Sequence, residues 1–307
     1  RVTAIQPSEG RVRLEDGELL AYDVLSLAIG ASVTAPRVSG GTLAIPLKPI
    51  DHTVRLVPEL ERLVRERGTP AIVVAGAGAA GVETALNIRA RLRLAHCAGG
   101  RVTVVGGFAR LLPERSASAG RLAAQVLAEQ SVATKLDVEV GRVDRGRVRL
   151  SDGRGLPADL IVWATGAEAP ALLGESGLAT DRDGFALVDD TLRSVSHPNV
   201  FVSGDAAGLR HHPALPKAGV FSVREGPVLW RNLAVSLGAP GKLRPYRPQH
   251  RFLALLNTGD GRGILSYGAV AIRGRWVLRL KDRIDRRFMR RFGRLKALGS
   301  PSPQDRD

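Results

Sequence analysis

Cysteine is all but absent from the chain, with Cys97 the sole representative. One thiol closes no internal disulfide, builds no CxxC redox pair and holds no zinc cluster without several partners. This usage fits a reducing, cytoplasmic setting and leaves no dithiol chemistry within these residues. Long apolar runs are missing as well: none approaches the roughly 20 residues that a membrane-spanning helix needs. No signal-peptide pattern follows Arg1. There is no GxSxG, no HExxH and no P-loop, which removes the serine hydrolase, zinc protease and P-loop kinase readings. Aromatic residues make up only 4%. Without an RNP-like motif or zinc-finger spacing, the net charge of +15 is a weak nucleic-acid signal, and no nucleic-acid partner is expected. The adjacent His211 and His212 share no helical or strand face, so no metal site is expected there.

What the chain does have is an ordinary globular composition, 44% hydrophobic over 307 residues. That length suggests about two domains with substantial cores. It also has an internal repeat. Residues 11–31 (RVRLEDGELLAYDVLSLAIGA) and 147–167 (RVRLSDGRGLPADLIVWATGA) agree without a gap at about half their positions, among them Asp16/Asp152, Gly17/Gly153 and Gly30/Gly166. Each copy reads as a short alternating strand, an Asp-Gly turn, a second strand, and an apolar buried-type strand ending in glycine.

A glycine fingerprint precedes the second copy. Ala71–Ala75 is an apolar, β-branched strand, then comes Gly76-Ala77-Gly78-Ala79-Ala80-Gly81, then helical text from Val82 to Leu94. Strand, GxGxxG and helix in that order are the context that dinucleotide binding requires. Gly76 permits the tight turn, Gly78 lets the backbone approach a pyrophosphate, and Gly81 lets helix and strand pack closely. The helix N-terminus then faces the phosphate charge. By the spacing of the repeat, the matching fingerprint of the first copy is expected upstream of Arg1, so the first domain is expected to lack its first βαβ unit.

With these residues in view, the chain resembles the FAD-dependent pyridine nucleotide-disulfide oxidoreductase superfamily, including type II NADH dehydrogenases and ferredoxin reductases. Both copies end in the family's Ala-Thr-Gly-like strand, at Ala28 to Gly30 and at Thr165-Gly166. Val200–Val202 then leads into Gly204-Asp205. The resemblance implies that Asp205 bonds the ribityl chain of FAD, and that the following helix, beginning near Lys217, Ala218 and Gly219, points its N-terminus at the flavin. Lys217 there would stabilise the charge of reduced flavin; a surface lysine at a helix start is the other reading. Glu83 would reach toward the nicotinamide and flavin rings, or is simply an acid favoured near a helix start. Lys48 is either a linker lysine or a flavin neighbour. The stretches Asp189–Pro198, Lys217–Pro227 and Lys281–Met289 are similar to NADH dehydrogenase-like flavoproteins associated with, or fused to, selenide, water dikinase.

Two departures from the family pattern stand out. The strand Arg101–Val105 runs into Gly106-Gly107 where an acidic residue would grip an NAD ribose. Nearby Arg110 either faces the 2′-phosphate of NADPH or is a solvated loop residue, so NADH and NADPH both stay open. The tail from Arg275 to Leu298 places Ile284, Phe288, Phe292 and Leu295 on one helical face and basic residues around them. Such a helix lies on an anionic membrane surface or packs on protein; over 281–298, peripheral contact with the inner membrane face is one of the two.

The expected fold is α/β: two Rossmann-like dinucleotide-binding domains with hairpin insertions, the first truncated, and a small α+β C-terminal domain. The flavin domain is expected over 1–48 and 169–238, a connecting helix over 49–69, the NAD(P)H domain over 70–168, and the C-terminal domain over 239–307. Strands are expected there at Arg251–Leu256, Gly263–Tyr267, Val270–Ile272 and Trp276–Leu280, ahead of the basic helix. The implied activity is hydride transfer from NAD(P)H to FAD and on to an acceptor such as quinone or a redox partner. The alternative is a non-catalytic module that binds nucleotide or a partner such as selenophosphate synthase. Monomer and homodimer are both compatible.

Overall fold

The computed structural model describes residues 1–33, 38–48 and 50–298. Contacts divide the chain into two compact units. The first comprises Arg1–Arg37, Ile45–Val57 and Thr165–Phe252; the second comprises Val38–Ala44, Pro58–Ala164 and Leu253–Asp307.

The second unit is built on a parallel sheet. Ala71–Ala75 lies between Leu160–Trp163 and Arg101–Gly106, and Val132–Leu136 follows outside Arg101–Gly106. All five residues of Ala71–Ala75 are buried, as a β-branched run with helices over a parallel sheet should be. The helix Ala79–Leu94 turns Val82, Ala85, Leu86, Ile88 and Leu92 inward. Each fully buried Leu or Val contributes about 1.5–3 kcal/mol. The helix begins one turn earlier than the sequence suggests, directly on the glycine turn.

Within the first unit, Leu25–Leu27 pairs in parallel with Val200–Val202. Ile5, Val12, Leu27, Val188, Leu192, Val200 and Val202 form one buried cluster there.

The repeat is a structural repeat. Val2–Gln6, Arg11–Leu14 and Leu19–Ala21 form one three-stranded antiparallel sheet, and Val140–Asp144, Gly146–Leu150 and Gly155–Ala158 another. Their turns close alike. Leu14 N donates to Glu18 O at 2.8 Å and Leu150 N to Arg154 O at 2.8 Å, while Gly17 and Gly153 take φ of 90° and 86°. Only glycine adopts that conformation at little cost.

Three expectations need correction. Residues 239–307 do not form a body of their own: the stretch up to Phe252 belongs to the first unit and Leu253 onward to the second. The reason is side-chain bonding from the antiparallel sheet Ala254–Asn257, Gly263–Tyr267 and Val270–Gly274. Arg273 reaches Glu129 and Asp260 at 2.5 and 2.6 Å, and Gln130 Nε2 donates to Thr258 O at 2.7 Å.

Next, Trp276–Leu280 is not a strand; the helix Arg275–Leu298 already begins there. Val277 is its fully buried anchor, and helical rather than alternating spacing carries the apolar positions on to Ile284 and Phe288. Phe292 and Leu295 lie outside the residues whose side chains are described. Finally, the connecting helix is two, Ile50–Val54 and Leu56–Arg67. Pro58 has no N–H to offer the Val54 carbonyl and its ring crowds that carbonyl, which favours the break between the two helices. Among the described residues, no helix is long and apolar enough to cross a membrane.

Candidate dinucleotide and flavin sites

In the second unit, the end of Ala71–Ala75 and the start of Ala79–Leu94 are joined by the glycine turn. Gly76 takes φ 131° and donates its N–H to Val105 O at 2.7 Å. At Gly81 an added Cβ would stand 1.9 Å from Gly76 O, so helix and turn touch backbone to backbone. Gly78 caps the helix in an extended conformation. The partial positive charge at this end suits a pyrophosphate. A carboxylate stands there: Glu114 Oε1 accepts from Ala79 N at 3.0 Å. Sequence reading missed Glu114, whose only signal is its place after the Leu111-Leu112-Pro113 loop.

A pyrophosphate on this turn has to displace Glu114. Glu114→Ala is therefore expected to tighten NAD⁺ binding several-fold while lowering thermal stability by about 0.5–1 kcal/mol for the lost cap. Calorimetric titration with NAD⁺ and a melting curve measure the two effects; weaker binding would contradict the displacement.

Arg110 is bonded within its own loop. Its guanidinium donates to the carbonyls of Leu112, Pro113 and Arg115 at 3.2, 2.6 and 2.8 Å. It is half-buried and fastens its own loop. The missing strand-end acid also has a cause. A Cβ at Gly106 would lie 2.4 Å from the Cβ of Ala77 in the glycine turn.

Glu83 faces the C-terminal part of its own unit. Its Oε1 accepts from Asn257 N at 2.8 Å, and Asn87 joins the same strand through Asn257 O at 3.3 Å. Burial pushes the Glu83 carboxyl up, opposed by the Asn257 N–H and by Lys281. Ala79 is half-buried, whereas Ala80 is exposed on the first turn. Thr165 and Gly166 follow Leu160–Trp163 in exposed positions; in the first unit Ala28 is exposed and Gly30 takes φ 68°.

In the first unit, Val200–Val202 delivers Gly204 and Asp205 into a 3₁₀ turn, Gly204–Ala206. Gly204 is left-handed at φ 67°. Asp205 Oδ2 accepts from Lys48 Nζ at 2.6 Å, so the lysine of the linker and the carboxylate of the Gly-Asp turn form one pair. Gly204 N donates to Glu225 Oε2 at 2.5 Å. Glu225, only 1% exposed, lies on the helix Gly219–Ser236, which is capped by Ala218. Burial pushes its carboxyl up, against the Gly204 N–H and Lys217.

Lys217 donates to Ala207 O and lies over the Phe185 ring, 3.8 Å from its centroid. Burial pulls its ammonium down, opposed by Asp181, Asp205, Glu225 and Asp183. These groups line an open cavity of about 650 Å³ that also includes Glu168 and His212. Sequence reading therefore found Asp205 and Lys217 but not Glu225 or Phe185. A glutamate in the apolar text Gly219–Ser236 was the only available sign of the former. Among the described residues, no cluster of His, Cys, Asp or Glu could hold a metal.

Strand, glycine turn and helix in one unit, with a Gly-Asp turn and helix in the other, define a two-module dinucleotide-binding α/β protein. Residues 1–232 match the pyridine nucleotide-disulphide oxidoreductase family, and the chain belongs to it. The members of this family bind FAD and NAD(P)H.

An NADH dehydrogenase-like protein of Mycobacterium tuberculosis is 34% identical over 217 residues, covering 68% of this chain and 54% of that protein. The ferredoxin–NAD(+) reductase component of the biphenyl dioxygenase system of Paraburkholderia xenovorans is 32% identical over 218 residues, covering 67% of this chain and 49% of that protein. The chain thus spans about half the length of the curated relatives it matches. The sulfide:quinone oxidoreductase of Aquifex aeolicus has the same fold, with a TM-score of 0.77 at 16% identity over 94% of this chain and 73% of that one.

Proposed function

We propose that the chain is the catalytic part of an FAD-dependent NAD(P)H oxidoreductase that passes electrons to an acceptor other than an internal disulfide. The observation that supports this most is the presence of two nucleotide-type turns: Gly76–Gly81 runs straight into a helix, and Gly204-Asp205 is tied through Glu225 to the helix Gly219–Ser236. The residues fit both groups. At Gly78 an added Cβ would meet only the Glu114 carboxylate, so a pyrophosphate that displaced Glu114 would reach backbone there and find the Ala79 N–H free to donate to it. Asp205 offers a carboxylate to a ribityl hydroxyl, held in place by Lys48, while Glu225 fixes the Gly204 turn. Lys217 places a positive charge beside that turn, where it would favour an anionic ring. Bound flavin would supply the hydride chemistry; the side chains position it and tune its charge.

The acceptor is proposed to be a quinone or a small redox protein, supported by what the relatives are named for. Peripheral membrane contact through 281–298 suits the former. Selenide, water dikinase is proposed as a partner on the three similar stretches quoted above. If the chain proves to be a non-catalytic module, that partner alone remains, and co-purification with the kinase tests it.

The deciding measurement is the visible spectrum of the purified chain after incubation with FAD, before and after anaerobic addition of NADH and NADPH. A flavin spectrum that bleaches is the expected result, and Asp205→Ala should lower the flavin-to-protein ratio. A chain that stays colourless would remove the catalytic reading.

A further inference from the structure

The geometry points to Glu139 as the carboxylate that takes the adenosine ribose hydroxyls of the dinucleotide, making this a site for NADH rather than NADPH. The inference rests on the dinucleotide reading of the glycine turn. It starts from the vacancy at the end of the strand Arg101–Gly106. An acid cannot stand at Gly106, because Ala77 occupies the space its Cβ would need. One residue on, a Cβ at Gly107 would meet Glu139, at 2.4 Å from Oε1, 2.8 Å from Cγ and 3.0 Å from Cδ. The Glu139 side chain therefore fills the place of a side chain at 107.

Its backbone is fixed on both sides. Val138 N donates to Gly106 O and Asp137 N to Phe108 O, each at 3.2 Å, while Ser151 N donates to Glu139 O at 2.8 Å. Ala77, Gly106, Gly107 and Glu139 thus form a continuous row leading away from the pyrophosphate turn. The ribose is the next group along a dinucleotide from its pyrophosphate. Phe108, 61% exposed on the same loop, offers an apolar face for the base beyond it.

Charge supports the same choice. A carboxylate accepts from paired ribose hydroxyls and repels a 2′-phosphate. Arg110, the cation nearest to Gly107 in sequence, is committed to loop carbonyls, and Arg142, nearest to Glu139, is paired with Asp144 at 2.8 Å. Glu139 is exposed, so replacing it should leave the fold intact.

The test is calorimetric titration of the whole chain with NAD⁺ and with NADP⁺, for wild type, Glu139→Gln and Glu139→Arg, with melting curves taken without nucleotide. Wild type is expected to prefer NAD⁺ by at least about tenfold, and Glu139→Gln to erase about tenfold of that ratio, the size of a charge-assisted hydrogen bond. Glu139→Arg should turn the preference toward NADP⁺ while melting near wild type. An unchanged ratio in both variants, or a wild-type preference for NADP⁺, overturns the assignment. Failure of wild type to bind either dinucleotide would remove the nucleotide reading itself, and this inference with it.

Discussion

Gly81→Ala is expected to cost at least about 3 kcal/mol of unfolding free energy, and Gly81→Val to leave no stably folded second unit, against a total stability of about 5–15 kcal/mol. The added Cβ would lie 1.9 Å from Gly76 O and 2.8 Å from Gly76 C, with Ala164 Cβ at 3.5 Å. The first two are backbone atoms, so no rotamer change relieves them. Gly76 cannot retreat either, since its N–H is bonded to Val105 O in the adjoining strand. Nucleotide binding should fall with the fold, because the same turn carries both. Gly174 is the control: it lies in the short helix Ala171–Glu175 with nothing within 4 Å of an added Cβ. Gly174→Ala should stabilise by about 0.5–1 kcal/mol. Urea titration compares them; a Gly81→Ala protein within about 1 kcal/mol of wild type would refute the backbone contact.

The second large effect belongs to Glu225. Glu225→Leu is expected to destabilise by about 1–3 kcal/mol, since it leaves the half-buried Gly204 N–H without its acceptor and removes a carboxylate facing Lys217. Glu225→Gln keeps an acceptor for Gly204 and should behave differently. The Glu225 carboxyl is pushed up by burial, with Asp205 adding to the push and Lys217 opposing it. A raised carboxyl binds more protons folded than unfolded, so its contribution is complete below the ordinary carboxylate range. It is lost as pH rises from there through the folded value. Glu83, shifted the same way, adds a slope that both proteins share. Melting curves between about pH 4 and 8 should therefore show Glu225→Gln level with wild type at the acid end and gaining on it toward neutrality. A gain confined to the acid end would reverse the assigned sign.

Local pattern and repetition made much of this legible. Asp16-Gly17 and Asp152-Gly153 predict two like turns because the conformation is decided within four residues. The GxGxxG turn was readable for the same reason, since Gly76 and Gly81 are demanded by a contact five residues apart. Trp276–Leu280 misled because five residues cannot separate alternation from helical spacing; Val277 and the later Ile284 and Phe288 settle it only together. One connecting helix was expected because Pro58 stands where a first turn tolerates proline; it is the first turn of a second helix, Leu56–Arg67. What stayed hidden was long-range pairing. Nothing near Glu114, Glu139 or Glu225 in sequence announces Ala79, Gly107 or Gly204 as the neighbour. Arg110 looked available because sequence cannot show three carbonyls turned back upon it.

The distribution of the first unit over three chain segments has a consequence for the order in which the protein acquires structure during synthesis. Strand Leu25–Leu27 leaves the ribosome well before its parallel partner Val200–Val202, and Lys48 waits 157 residues for Asp205. Until then Ile5, Val12 and Leu27 lack Val200 and Val202, with which they share a buried cluster. The parallel sheet of the second unit is encoded between Ala71 and Trp163, so it is able to close first. Non-local pairing of this kind slows folding and leaves sticky intermediates exposed. The early segment is therefore where a nascent chain should recruit chaperones, and stalled chains ending before Val200 should be captured by them more than chains ending after Leu209.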